Sequence, residues 1–324
     1  MRIPPLVASM ALTLLIASSS SPVTMAWTPI GNPGNACDPQ PGSNGAPAGC
    51  FGSVGYAYDI GTYEVTNAQY VEFLNAKAAA DPLGLYSSFM SNVPAYGGIA
   101  RNGTSGSYSY TAIVGREQMP VNYVSWFDAV RFANWMNNGQ GIGDTETGSY
   151  TLLGGTATLS NGATVTRNAG ATIVLTSGDE WYKAAYYDPS TATYFDYPEG
   201  SNAQTSCTMP TGAANHANCD VAVDDLTPVG SYPGSASPYG TFDQGGNVNE
   251  WNELSLYSGS YRGIRGGPFD NVPEALAAFT QFIDTPDNEH HNLGFRLLMI
   301  PEPSTGLLVL AGLLGLGVRR RVRA

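Results

Sequence analysis

Three short stretches carry apolar residues at helical spacing, and each opens on a hydroxyl residue three positions ahead of a side chain that reaches back to it. Thr66-x-x-Gln69 has the form of a capping box and leads into Tyr70, Phe73 and Leu74. Ser125-x-x-Asp128, a near-variant, leads into a stripe of Ala129, Phe132, Ala133 and Trp135; Ser177-x-x-Glu180 leads into Trp181, Ala184 and Ala185. The pattern predicts three short helices with these apolar positions facing a core. Residues 56–63 read as a strand entering the first helix. Residues 157–165 alternate around Asn161-Gly162, which predicts a hairpin. Glycine, proline and small polar residues predict an irregular arm over 27–53, a loop over 81–118 and a connection over 138–149. Residues 186–200 read as an aromatic-rich loop, where Tyr182, Tyr186 and Tyr187 are candidates for a cleft wall or for core. Short helices, short strands and long loops make a loop-rich α+β domain.

The two ends have a different character. Arg2, the apolar run 6–16 and a cleavage site at Ala26 make residues 1–26 a secretory signal peptide. At the other end, Pro301-Glu302-Pro303 precedes an apolar run over 306–318 and then Arg319, Arg320, Arg321 and Arg323. The run is short of the roughly 20 apolar residues a stable span needs, which suits a transient membrane anchor with its basic end on the cytoplasmic side. Removing both ends takes five of 14 basic and one of 26 acidic residues, so the net charge moves from −12 to −16. Such a surface disfavours nucleic acid and anionic lipid and favours cations. Trp, Tyr and Phe are too plentiful for a disordered chain.

Four cysteines, Cys37, Cys50, Cys207 and Cys219, would meet an oxidising compartment after export. Three connectivities are open; Cys37–Cys50 and Cys207–Cys219 are close in sequence and would each staple a loop. With only three histidines (His216, His290, His291), the chain argues against a zinc site of the Cys/His type.

The chemistry concentrates in YGTFDQGGNVNEWNE, residues 239–253. Asp243 and Glu250 offer carboxylates, Gln244, Asn247, Asn249 and Asn252 amides, and Gly245 and Gly246 a backbone free to turn carbonyls inward. Such a turn suits a hard cation such as Ca²⁺, though its spacing is not that of an EF-hand; a polar turn ahead of a packed Trp251 gives the same pattern.

Gly246-Asn247-Val248-Asn249-Glu250-Trp251 resembles the G-N-V-x-E-W signature of the formylglycine-generating enzyme (sulfatase-modifying factor) family, with Asn249 where that family usually has Trp. Other blocks follow in the same order: 63–70 (YEVTNAQY), 120–129 (PVNYVSWFDA), 175–181 (LTSGDEW, without the family's proline), 265–267 (RGG) and 292–296 (NLGFR). The resemblance covers about 54–299 and implies the formylglycine-generating-enzyme fold, related to the C-type lectin fold. The tail resembles the PEP-CTERM sorting signal, which implies exosortase processing at the cell surface, outer membrane or matrix of a Gram-negative bacterium.

Members of that family oxidise a substrate cysteine with O₂ through two cysteines after R-G-G that bind copper(I). At those places this chain has Asn271 and Leu276, and no cysteine follows Cys219. Copper(I) wants thiolate, so the sequence argues against formylglycine formation and against copper. The resemblance also implies two calcium sites. One takes Asp243 and Glu250 through side chains and Gly246 and Val248 through carbonyls. The other takes Asn218, the Cys219 carbonyl and an acid from Asp224 or Asp225. Glu289-His290-His291 reads as a solvated loop or a weak metal patch, and Arg265 and Arg296 as anchors for buried acids. Three functions fit: a non-catalytic, calcium-stabilised module binding an extracellular peptide or glycan; an oxidoreductase-family enzyme with altered chemistry; a purely structural matrix protein.

Overall fold

The structure is a computed structural model that describes residues 22–44, 46–92 and 96–301. Most of the signal segment and the sorting tail beyond Pro301 lie outside the described residues. All three capping boxes close. Thr66 accepts from Gln69 N–H, Ser125 from Asp128 N–H and Ser177 from Glu180 N–H, and each partner side chain accepts from the cap's own N–H. They open helices Asn67–Lys77, Trp126–Asn137 and Gly178–Tyr186. The helices bury their apolar faces: Phe73 and Phe132 meet edge to face at 5.3 Å, and Phe132 meets Phe295 at 5.5 Å.

Two four-stranded sheets hold the helices together. The first runs Trp27–Ile30, Tyr58–Gly61, Leu297–Met299, Ile173–Leu175, all antiparallel. The second runs Phe282–Asp284, Tyr261–Arg265, Asn249–Leu256, Leu293–Gly294, with the last pair parallel. Glu250 thus lies on an inner strand, opposite Arg265 on one side and Gly294 on the other. Three buried tryptophans tie these layers through their ring N–H groups: Trp126 to the Asn252 carbonyl, Trp251 to the Val124 carbonyl and Trp181 to Glu250.

Several loop expectations are overturned. The arm over 27–53 is ordered: Trp27–Ile30 is an edge strand, and Asp38–Gln40 pairs with Gly49–Phe51 in a hairpin closed by Cys37–Cys50. The stretch 81–118 contains a helical turn, Phe89–Asn92, and a hairpin, Ile99–Asn102 with Ser109–Ala112. The hairpin expected at Asn161-Gly162 does not form. Asn161 instead spends its side chain on the Leu153 N–H and the Thr151 carbonyl, and Gly162–Thr164 is a single 3-10 turn. Gly162 is there for space, since a Cβ would come within 2.9 Å of the Phe127 ring. In the 186–200 segment, Tyr187–Asp188 pairs with Thr193–Tyr194; Tyr182, Tyr186 and Tyr187 are buried core, not a cleft wall.

Candidate functional site

Three buried carboxylates, Glu64, Asp243 and Glu250, share the interior with one guanidinium. Arg296 Nη2 donates to Glu250 Oε1 and Arg296 Nε to Oε2, both at 2.6 Å, with both side chains fully buried. The second Glu250 oxygen also accepts from Trp181 Nε1 (2.7 Å). Arg296 further caps the Gly61 and Phe242 carbonyls, at 3.0 Å each. Asp243 Oδ2 accepts from the Gly230 N–H (2.5 Å), and burial pushes its carboxyl up to about 6. Burial, with Asp243 nearby, drives Glu64 well above the usual carboxylate range; its Oε1 accepts weakly from Asn247 Nδ2 (3.3 Å) and its Oε2 has no partner. Arg296 answers the expectation of an acid anchor. Arg265 does not: it donates to the Ala278 and Thr280 carbonyls and lies 4.8 Å from the Tyr182 ring centre.

The two candidate cation segments are neighbours. A Cβ on Gly246, whose φ is +87°, would come within 2.4 Å of the Asn218 carbonyl oxygen, which accepts from Asn247 N–H (2.9 Å). They differ in what they leave free. In the 243–250 turn the glutamate already accepts three hydrogen bonds from Arg296 and Trp181, so Asp243 with the Gly246 and Val248 carbonyls would have to supply most of any coordination. In the 218–226 loop, Asn218 Nδ2 donates to the Asp225 carbonyl (2.8 Å), which leaves Asn218 Oδ1 buried with no partner. Asp225 is taken by Arg116 in two bonds of 2.7 Å, so of the two acids offered by the sequence Asp224, exposed, is the free one. The Cys219 carbonyl accepts from Ala222 N–H and still has a lone pair. Asp220, Val221 and Asp224 all have positive φ, a costly curl for a β-branched valine. An orphaned amide oxygen, a turned carbonyl and a free acid are hard-cation chemistry. Among the described residues no group of three or more His, Cys, Asp or Glu side chains could hold a metal, so a cation here would rest largely on amide and main-chain oxygens.

At the positions where the resemblance places copper thiolates, Asn271 is half-buried and its carbonyl accepts from Asp220 N–H (2.7 Å). Leu276 is fully buried in an apolar cluster with Cys219, Ala217 and Ala275. Cys207 and Cys219 are bonded to each other beside it, as are Cys37 and Cys50 elsewhere, so all four cysteines of the chain are spent.

Next to Asn271 a cluster of rings reaches the surface at Phe89, Tyr96 and His291. His291 lies 5.1 Å from Tyr96, 5.9 Å from Phe269 and 6.5 Å from Tyr123; Phe89, 53% exposed, stacks on Tyr123 at 5.8 Å. His291 Nε2 donates to Asp270 Oδ2 (2.8 Å), and Asn292 Nδ2 donates to the same carboxylate. Burial works against these bonds, yet they hold the Asp270 carboxyl below its usual range. Beneath the rings Asn122 Nδ2 donates to the Tyr96 and His291 carbonyls (2.9 and 2.7 Å), while its Oδ1 is buried and unpaired. Tyr123 has a positive φ of 56°. In the sequence only the two histidines mark this face. Its rings come from four separate segments, so no local spacing announces it.

The sequence pattern of the sulfatase-modifying factor enzyme 1-like domain matches residues 51–300, and that of the PEP-CTERM protein-sorting motif matches 300–321. Hercynine oxygenase of Mycobacterium tuberculosis (strain ATCC 25618 / H37Rv) is 26% identical over 196 residues, 55% of this chain and 36% of that protein. The chain therefore spans about a third of the length of that curated relative. Treponema denticola variable protein 1 superposes with a TM-score of 0.54 at 20% identity, covering 86% of this chain and 96% of that one. CarF superposes with a TM-score of 0.56 at 20% identity, covering 86% and 99%. At these identities the structural likeness is one of fold.

Proposed function

The chain belongs to the sulfatase-modifying factor enzyme 1-like domain family, and from that premise we propose that its domain is a non-catalytic, calcium-stabilised recognition module that binds a glycan across the Tyr96–His291 face. The PEP-CTERM motif implies export to the envelope of a Gram-negative bacterium and processing by an exosortase. The observation that carries the reading is the occupancy of the copper positions. Asn271 and a buried Leu276 stand there, and every cysteine is in a disulfide, so no thiolate is left for copper(I). Calcium is assigned to the 218–226 loop on the strength of the unpaired Asn218 Oδ1. Tyr96, half-buried, and Phe89, 53% exposed, offer apolar ring faces to a sugar's C–H groups, and Asp270, His291 and Asn292 offer hydrogen bonds to its hydroxyls. The net charge of −12 disfavours an acidic ligand.

The test is a glycan and peptide array probed with the exported protein in Ca²⁺ and again in chelator, with both samples melted in parallel. Glycan binding lost in Tyr96→Ala and His291→Ala, with melting points unchanged, is the expected result; binding to peptides alone would replace glycan by peptide, and no binding would move the reading to a structural matrix protein. Calcium at a hundredfold its Kd stabilises by about 2.7 kcal/mol, several degrees in Tm, and Asp224→Ala should abolish that rise without lowering the melting point in chelator. No calcium shift in the parent would remove the calcium assignment. The likeness to hercynine oxygenase supports the alternative of an enzyme with altered chemistry, and turnover of a thiol substrate by the purified protein would establish it.

A further inference from the structure

Residues 23–26 are built into the domain. Val23 is buried, and Gln140 holds it from both sides: Val23 N–H donates to Gln140 Oε1 (2.7 Å), and Gln140 Nε2 donates to the Val23 carbonyl (2.9 Å). Gln69 Nε2 donates to the Thr24 carbonyl (2.9 Å). Thr62 N–H donates to the Ala26 carbonyl (2.9 Å), which extends the ladder between Trp27–Ile30 and Tyr58–Gly61. Met25 packs against the main core. Thr24, Met25 and Ala26 also wall a cavity of about 350 Å³ together with Tyr63, Glu64 and Gln69. Cutting the leader after Ala26 would strip all of these bonds, leave both ends of the Gln140 amide unpaired and uncover part of the core.

We propose that the leader is cut upstream of Pro22, at Ala17-Ser18-Ser19, so that the exported protein keeps residues 23–26 as the lead-in to its first strand. The inference rests on the reading of the N-terminal segment as an export leader. Ala17 directly follows the apolar run 6–16, and Ala17-x-Ser19 places small residues where a signal peptidase needs them, whereas Ala26 is ten residues beyond the run. The step is hydrolysis of the Ser19–Ser20 peptide bond. One water is consumed, Ser19 keeps the new carboxylate and Ser20 the new ammonium.

The full chain should be produced in a Gram-negative host, and the N-terminus of the exported protein sequenced. A start at Ser20 is expected; a start at any other residue after Met1, Trp27 above all, overturns the proposal. Retention of Met1 in the exported protein would instead overturn the leader reading itself, so the two failures are told apart. Full-chain variants sharpen the result. Ala26→Leu, at an exposed position, should leave the start unchanged, while Ala17→Leu with Ser19→Leu should leave the leader attached. Blocked processing in Ala26→Leu would count against the proposal as firmly as a Trp27 start.

Discussion

Replacing Arg296 with alanine is expected to lower the melting point by roughly 6–20 °C, more than any single change in the ring-walled face. The loss lies in what the guanidinium leaves behind. Glu250 would be left as an unpaired carboxyl in a fully buried place, beside Asp243 and Glu64. The Gly61 and Phe242 carbonyls would lose their donors as well. Removing one partner of a buried ion pair costs about 3–5 kcal/mol, a large part of a domain's total of about 5–15 kcal/mol. At about 2–4 °C per kcal/mol for a domain of this size, that gives the stated range. Arg296→Lys should fail almost as badly, because a single ammonium cannot meet both Glu250 oxygens and two carbonyls at once. His290→Ala is the control. That pair with Asp284 spans 3.1 Å, but the histidine is 52% exposed, and the change should cost less than about 1 kcal/mol. A melting curve for Arg296→Ala within two or three degrees of the parent would mean the three acids do not depend on this cation.

What the sequence makes legible is what depends on neighbours a few residues apart. The capping boxes at Thr66, Ser125 and Ser177 are closed by bonds three residues long, so their spacing announces them. The Asn161-Gly162 signal is equally local, yet it loses, because the amide finds two longer-range backbone partners and Phe127 needs the glycine's empty space. Trp27–Ile30 is hidden among glycines and prolines, and becomes a strand only because Tyr58–Gly61 offers a free edge. The family signature marks the turn around Glu250, and Glu250 lies fully buried on an inner strand. It does not say that the turn's internal cation is Arg296, since that partner lies 46 residues away. The ring cluster is the least legible part, since Tyr96, Tyr123, Phe269 and His291 come from four segments far apart in the chain.

Lowering the pH from 8 to 5 is expected to raise the melting point, the reverse of the behaviour of a protein held by ionised carboxylates. Burial pushes the Asp128 carboxyl up to about 7, with Glu289 adding to it; burial also pushes Glu199 to about 7 and Asp243 to about 6. In the unfolded chain all three return to about 4. Between these values the folded state holds protons that the unfolded state has released, so stability grows as pH falls. Their contribution is complete below about pH 4 and is lost as pH rises through 6 and 7. Groups shifted the other way set the lower limit. Glu180, buried but held down by hydrogen bonds from Arg167, and Asp270, held by His291, contribute above their unfolded values and lose that contribution on acidification below about pH 4. The optimum should therefore fall between pH 4 and 6, with a gain over pH 8 on the order of a few kcal/mol. Asp128→Asn separates this account from a general charge effect. The amide oxygen still accepts from the Ser125 N–H, which donates to Asp128 at 2.9 Å, so the cap survives while the titration is gone. That variant should melt higher than the parent at pH 8 and no higher at pH 5. Scanning calorimetry at pH 5, 6.5 and 8 decides it, and a parent whose melting point climbs steadily from pH 5 to 8 would show that these acids are ionised in the folded protein.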